Sequence, residues 1–233
     1  MQILTEENIV GLDAEHPWAD QFEVLSFADG SVSCIPHQFF HDELDEGAPI
    51  GNLHIGRCAI IGAGSRIRYG SENQSLHIGR FVTIGNRLRV LLNSRCESRT
   101  LSTFAFSLMG QGLQNVSPPL AGDVVIKNDV WIGDDVTLMG GCVIEDGCVI
   151  ETGSVVPTNL HTEPYGIYSG NPARLQCFRF DISIRKELLS LEWWNRPLNW
   201  LRENNKAFSF DMSRNEESTL VLIKSLKEQQ VQR

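Results

Sequence analysis

The sequence lacks the features of membrane-spanning, exported and nucleic-acid-binding proteins. It has no run of about 18 apolar residues, so we expect no helix that crosses a bilayer. Its first residues, MQILTEENIVGLDAEHPW, lack the basic and apolar regions of a signal peptide. Acidic residues outnumber basic ones: the sequence has 29 aspartates and glutamates and 20 lysines and arginines, which gives a net charge of −9. That balance disfavours binding to nucleic acid or to an anionic membrane.

The six cysteines form no Cys-x-x-Cys pair and no cysteine and histidine spacing typical of a metal site. We therefore expect no metal. Cys142 and Cys148 lie six residues apart, a spacing that leaves a disulfide open as an alternative. Without an export signal, small interior side chains are the favoured interpretation, and the cytosol is the expected location.

Aliphatic residues recur at every sixth position in the middle of the chain. The series is Ile126, Ile132, Leu138, Ile144, Ile150 and Val156. A small or β-branched residue follows four places after each of the first five: Val130, Val136, Cys142, Cys148 and Ser154. A period of six fits neither an α-helix nor an ordinary strand. It is typical of an all-β solenoid, a parallel β-helix whose coils carry three short strands each.

The repeat divides the chain into three parts. Residues 1–50 lack the period and are predicted to cap the first coil, and residues 51–180 hold the β-helix. Residues 93–123 interrupt the period and are predicted to project from a corner as a long inserted loop. Residues 181–233 have helical spacing and are predicted to form a C-terminal helical extension.

Four segments resemble the hexapeptide-repeat xenobiotic acyltransferases, which include the type B chloramphenicol and streptogramin acetyltransferases. They are NDVWIG (128–133), the coils after it, GNPAR (170–174) and EWWNRPLNWLREN. The resemblance covers roughly residues 75–205. It implies a left-handed parallel β-helix that forms a homotrimer, with sites in the clefts between subunits. It also implies acetyl-CoA or another acyl-CoA as co-substrate and a small-molecule acceptor.

The resemblance also implies roles for individual residues. Trp131 matches a tryptophan near the thioester, and Phe104 and Phe106 belong to STFAF, which resembles a segment lining the acceptor pocket. Asn93 matches an asparagine at the start of the same loop. The resemblance places the pantetheine arm along coils that carry Gly141, Thr152, Gly153 and Ser154. It places the nucleotide phosphates near Pro172, Ala173 and Arg174, where a cation suits a phosphate.

The position of the catalytic histidine is where this chain departs from the family. Aligned without gaps, LLNSRCESRTLSTFAF puts Glu97 where the family has its general base. A glutamate with an ordinary pKa is a weaker base than an imidazole, although burial raises a carboxyl pKa toward neutrality. Glu97 is thus a replacement base, an orienting group, or a relic that remains as a solvated loop carboxylate. His77 is the alternative base, and Cys96 is a third candidate as a nucleophile.

Several functions follow from these patterns. The first is acyl transfer from acyl-CoA to a hydroxyl or amine of a small molecule. The second is a family member with different chemistry, an isomerase, lyase or cyclase, as the missing histidine allows. The third is a non-catalytic trimeric binding protein. A metalloenzyme on the same fold would need three converging histidines, which these six do not suggest.

Overall fold

Three β-sheets make up most of the computed structural model, which describes residues 2–40, 50–93, 98–104 and 120–229. The five-stranded sheet contains, in spatial order, β1 (Gln2–Leu4), β5 (Asn52–Ile55), β8 (Ser75–Ile78), β11 (Val124–Ile126) and β14 (Val143–Ile144). The four-stranded sheet contains β16 (Val155–Val156), β13 (Thr137–Met139), β10 (Arg89–Leu91) and β7 (Arg66–Arg68). Both sheets are parallel throughout.

The third sheet has nine strands and a parallel centre. Its strands, in spatial order, are β18 (Ala173–Phe178), β17 (Gly166–Gly170), β15 (Val149–Ile150), β12 (Trp131–Ile132), β9 (Thr83–Ile84), β6 (Ile60–Ile61), β4 (Val32–Pro36), β3 (Phe22–Phe27) and β2 (Ile9–Leu12). The outer strands β2, β3 and β18 pair antiparallel. The strands from β4 to β17 are parallel to one another.

Successive strands of the chain belong to the three sheets in a fixed, repeating order. Each coil passes from the five-stranded sheet to the nine-stranded sheet and then to the four-stranded sheet, as β5, β6 and β7 do. The register places equivalent residues of successive coils opposite each other, so that Ile78 pairs with Ile126 and Ile126 pairs with Ile144. These side chains are buried and form one continuous core. The parallel strands predicted from the six-residue period are therefore confirmed.

The small residues of the repeat lie in the interior at the ends of the strands. Val130, Val136, Cys142, Cys148 and Ser154 are all buried. Cys142 and Cys148 are free thiols, so the disulfide left open by their spacing is not formed. Burial raises the pKa of both thiols, as expected for interior packing groups.

Residues 2–40 continue the coils beyond β5. Strand β1 lies parallel to β5, and β4 lies parallel to β6. The amide of Ile67 donates to the carbonyl of Phe39 at 2.9 Å, which adds a contact at the β7 edge of the four-stranded sheet. Buried Arg57 ties this end to the C-terminal segment by hydrogen bonds to Asp29 and to the backbone carbonyl of Arg196.

The C-terminal segment is helical and packs against the coils. Its elements are α1 (Ile182–Leu191), a 3₁₀ turn (Trp193–Asn195), α2 (Leu198–Glu203), α3 (Asn205–Phe208) and α4 (Glu216–Glu228). Ile184, Leu188 and Ile223 form a second core between α1 and α4. Across the residues described, none of the helices combines the length and apolar character needed to cross a membrane.

Candidate functional site

A large aromatic side chain lies on the outer face of the nine-stranded sheet. Trp131 begins β12 and is 44% exposed, while its neighbour Ile132 points inward and is buried. In register it lies between Thr83 on one side and Val149 on the other. An exposed indole on a flat sheet offers a large apolar contact surface to a ligand.

The residues after β15 lie at the edge where the nine-stranded sheet turns toward the four-stranded sheet. Thr152 and Gly153 are exposed, whereas Ser154 is fully buried. Gly153 has a positive φ of 75°, and a Cβ added there would meet nothing within 4 Å. This edge therefore has open space beside the backbone, as close approach of a ligand requires.

The hairpin between β17 and β18 continues this edge. The amide of Gly170 donates to the hydroxyl of Ser154 at 3.2 Å, so the hairpin is joined directly to the previous coil. Ala173 is buried at the hairpin, and Pro172 and Arg174 are exposed beside it. We name Trp131, Thr152–Ser154 and Pro172–Arg174 the coil strip. Arg174 gives the strip a solvent-facing cation.

The inserted loop begins and ends at the opposite edge, between the four-stranded and five-stranded sheets. Both of its ends lie against Gly70, where an added Cβ would be 2.6 Å from Asn93 and 2.6 Å from Leu120. The described part of the loop contains Phe104, which is exposed. Glu97, Cys96 and Phe106 lie outside the described residues.

One buried amide holds the two ends of the loop together. The side chain of Gln74 donates to the carbonyls of Ala121 at 2.7 Å and Leu92 at 3.2 Å. Its oxygen accepts from the amide of Gly70 at 2.7 Å. Gln74 is only 5% exposed, and its three hydrogen bonds satisfy both ends of the side-chain amide.

His77 lies on the outer face of the five-stranded sheet, close to the end of the inserted loop. Its ring stacks on His54 with 4.2 Å between centroids, and its Nε2 is 3.9 Å from an oxygen of Asp123. Burial and the neighbouring His54 lower the pKa of His77, while Asp123 raises it. The lowered pKa favours a neutral ring, which is able to accept a proton.

The predicted site residues fall into two groups on one chain. The structure brings together Trp131, Thr152–Ser154 and Pro172–Arg174 along one sheet and its edge. Asn93 and Gly141 lie at the opposite edge. Gly141 therefore lies outside the coil strip. A Cβ added at Gly141 would lie 2.1 Å from the side-chain oxygen of Asn159, so the space beside this glycine is already filled.

A comparison with known protein families concerns the type of sequence repeat in the coils. Residues 123–158 match the family described as bacterial transferase hexapeptide (six repeats). This segment is similar to the hexapeptide repeats of bacterial transferases. The resemblance to hexapeptide-repeat transferases predicted from the sequence is therefore confirmed.

Proteins similar to this chain include a curated protein named probable macrolide acetyltransferase, from Lysinibacillus sphaericus. The two are 41% identical over 100 residues, which covers 41% of this chain. The match spans about half of the relative, 54% of its length.

Two solved structures illustrate the wider similarity. A hexapeptide-repeat acetyltransferase from Vibrio cholerae, complexed with acetyl coenzyme A, is 24% identical, with a TM-score of 0.43 over 55% of this chain and 61% of that one. A variant of the N-acyltransferase AntD from Bacillus cereus, in complex with an amino-sugar nucleotide and coenzyme A, is 20% identical. Its TM-score is 0.44, over 68% of this chain and 87% of that one.

Sequence reasoning missed one residue in these hexapeptide-repeat coils that affects the site. Gln74 lies in the segment where the period breaks, between Ile67 and Ile78, so no repeat position marked it. A uniformly polar stretch, GSENQS (70–75), gives no signal for which side chain is buried. The described residues contain no group of three or more histidine, cysteine or acidic side chains that could hold a metal ion.

Proposed function

We propose that this protein is an acyl-CoA-dependent transferase that acylates a hydroxyl or amine of a small molecule, with acetyl-CoA as the donor. The observation that carries the proposal is the coil strip, an exposed indole joined along one edge to an open glycine and a solvent-facing arginine. An extended amide-rich arm fits along such an edge, and its phosphates suit the arginine. The name of the Lysinibacillus sphaericus relative supports an acetyl donor.

We further propose that the coils are left-handed and that three copies assemble with their sites between subunits. The coil strip follows the nine-stranded sheet, while the inserted loop leaves the edge formed by the other two sheets. In a three-faced prism that edge is opposite the nine-stranded sheet. One chain therefore separates the two halves of the site, and a neighbouring copy would supply the missing half.

The chemistry requires one base. The acceptor oxygen or nitrogen attacks the thioester carbonyl, the base takes its proton, and the sulfur of coenzyme A leaves as the thiol. We assign the base to Glu97 and keep His77 as the alternative, since its lowered pKa and its position near the loop end suit proton transfer. Asn93, Phe104, Phe106 and Trp131 are proposed to bind the acceptor. The relative's name makes macrolides the first acceptors to test.

Binding of the donor is tested by calorimetric titration with acetyl-CoA. We expect binding to the wild type, and about tenfold weaker binding for Trp131→Ala, because a desolvated aromatic contact commonly contributes more than 1.4 kcal/mol. Ile60→Ala is the matched control, since Ile60 is an exposed residue on the same outer face two strands away. No detectable binding of coenzyme A would exclude the proposal.

Turnover is tested by release of the thiol in the presence of macrolides, phenicols, aminoglycosides and sugars. We expect acetyl transfer to at least one of these acceptors. Donor binding without transfer to any acceptor would instead favour different chemistry or a binding protein, which the missing histidine also allows.

Two variants, Glu97→Gln and His77→Asn, test which residue is the base. The variant that removes the base should lower kcat by about 10²-fold and abolish the acid limb of the pH profile. The other variant should leave both unchanged. If neither variant changes kcat, both assignments are wrong.

A further inference from the structure

One outward side chain from each of three central strands forms a row across the nine-stranded sheet. Ile60, Thr83 and Trp131 lie in register on β6, β9 and β12. All three are exposed, Ile60 to 37% and Trp131 to 44%, and none carries a charge. The residues that follow them in sequence, such as Ile61 and Ile132, point inward and are buried. We name Ile60, Thr83 and Trp131 the outer row, a continuous uncharged surface beside the coil strip.

The outer row continues the line of the coil strip beyond Trp131. On the other side of Trp131 the register runs through Val149 to Ile167, on β15 and β17, and the other residues of the strip follow these two strands. A donor whose pantetheine arm lies on the strip, with its thioester at Trp131, therefore directs its acyl chain away from the strip, over Thr83 toward Ile60. Neighbouring strands lie about 4.8 Å apart, so Ile60 is about 10 Å from Trp131.

The outer row has a definite end at β4. Cys34 is the register partner of Ile60 on this strand, and it is only 1% exposed. The surface open to an acyl chain therefore extends two strands beyond Trp131, about 10 Å. An extended chain of about eight carbons has this length, since its carbon–carbon bonds are about 1.5 Å long. An uncharged surface of this length favours a medium-chain acyl group in proportion to the apolar area that the chain covers.

We propose that the outer row binds the acyl chain of a medium-chain acyl-CoA of about eight carbons, so that the protein accepts such donors in addition to acetyl-CoA. The inference rests on the proposed acyl transfer and widens its donor class. The chemistry stays that of acetyl transfer. The bond between the acyl carbon and sulfur breaks, and a bond to the acceptor oxygen or nitrogen forms. The acceptor's proton passes through the base to the sulfur, which leaves as the thiol of coenzyme A.

The test is calorimetric titration of the full chain with acetyl-CoA, octanoyl-CoA and dodecanoyl-CoA, each below its micelle concentration. Octanoyl-CoA should bind about tenfold or more tightly than acetyl-CoA, because complete burial of a methylene tightens binding about fourfold and the outer row covers one side of each added methylene. Dodecanoyl-CoA should gain less than about threefold more, since the row ends at Ile60. Equal Kd values for acetyl-CoA and octanoyl-CoA, or a steady gain up to dodecanoyl-CoA, would overturn the inference.

Two matched variants locate the acyl chain. Ile60→Asp puts a charge at the end of the outer row and should reduce the preference for octanoyl-CoA over acetyl-CoA by about fivefold or more. Ile167→Asp makes the same change two strands from Trp131 in the opposite direction, so it should alter both Kd values equally and leave their ratio unchanged. If an aspartate variant does not fold, Ile60→Ala and Ile167→Ala replace the pair, with a reduction of about threefold expected for Ile60→Ala. A ratio unchanged by the Ile60 variant, or lowered by the Ile167 variant instead, refutes the assignment.

The same titrations separate this inference from the proposed function. Binding of acetyl-CoA without a preference for octanoyl-CoA refutes the inference alone. Absence of binding by both donors refutes the proposed acyl transfer itself.

Discussion

Gln74→Leu should loosen the base of the inserted loop and destabilise the whole protein. The substitution keeps the volume of the side chain and removes three hydrogen bonds at a position that is 5% exposed. It leaves the amide of Gly70 and the carbonyls of Leu92 and Ala121 without this partner. A buried group that loses its partner costs about 1 to 3 kcal/mol, so we expect a loss of about 3 kcal/mol in the free energy of unfolding.

The assay is equilibrium unfolding in urea, with the midpoint and slope compared between variant and wild type. Gln74→Glu sharpens the test, since a carboxylate can accept from Gly70 but would face the carbonyls of Leu92 and Ala121 without a proton to donate. It should therefore destabilise the protein at neutral pH at least as much as Gln74→Leu does. A loss below about 1 kcal/mol for both variants would refute the role given to this amide.

Three further predictions concern the coils and their edge. Burial raises the pKa of Asp129 from 3.8 to about 6, so its contribution to stability is present at low pH and is lost as the pH rises through 6. The unfolding free energy of Asp129→Asn minus that of the wild type should therefore rise by about 2 kcal/mol from pH 4 to pH 7 in urea titrations, and a flat difference would contradict this. Ile144→Ala should cost about 3 kcal/mol by the same assay, because the side chain is fully buried. Gly85→Ala should lower the free energy of unfolding by about 2 kcal/mol, because the added Cβ would lie 2.4 Å from the side chain of Asp134. Gly122→Ala is the control: the nearest atom to its added Cβ lies at 3.4 Å, so the free energy of unfolding should change by less than about 0.5 kcal/mol.

The coils could be predicted from the sequence because each inward position repeats the same physical requirement. An aliphatic side chain such as Ile132 or Ile150 must stack on its counterpart in the next coil, and a six-residue period is the result. The small residues of the repeat could be predicted for the same reason. Each of them, such as Cys142 or Cys148, fills a crowded interior corner of its coil. Local spacing was sufficient for these residues.

The first coil could not be predicted in this way, because it is assembled from segments distant in sequence. Strand β1 at Gln2–Leu4 and strand β4 at Val32–Pro36 lie on neighbouring faces, with an antiparallel hairpin between them. Their spacing in sequence is therefore unrelated to the period. Gln74 was missed for a related reason, because its role depends on contacts with residues far along the chain.

The separation of the coil strip from the inserted loop leads to a test of assembly that does not depend on which residue is the base. Trp131→Ala impairs the half of the site on the nine-stranded sheet, and a loop variant that has lost transfer, such as Glu97→Gln or Phe104→Ala, impairs the other half. If each site joins the strip of one copy to the loop of the next, mixed trimers contain some sites with both halves intact.

Random mixing of equal amounts gives an intact strip beside an intact loop in about one quarter of sites. At acetyl-CoA concentrations well below KM, each variant alone should have about a tenth of wild-type turnover or less. Under that condition, co-expression of the two variants should restore about 25% of wild-type turnover in acetyl transfer, and mixing the purified proteins without subunit exchange should restore none. A double variant carrying both changes in one chain, co-expressed with the wild type, controls for expression level. Absence of recovery in mixed trimers would mean that both halves act within a single chain, and the arrangement of sites between copies would be wrong.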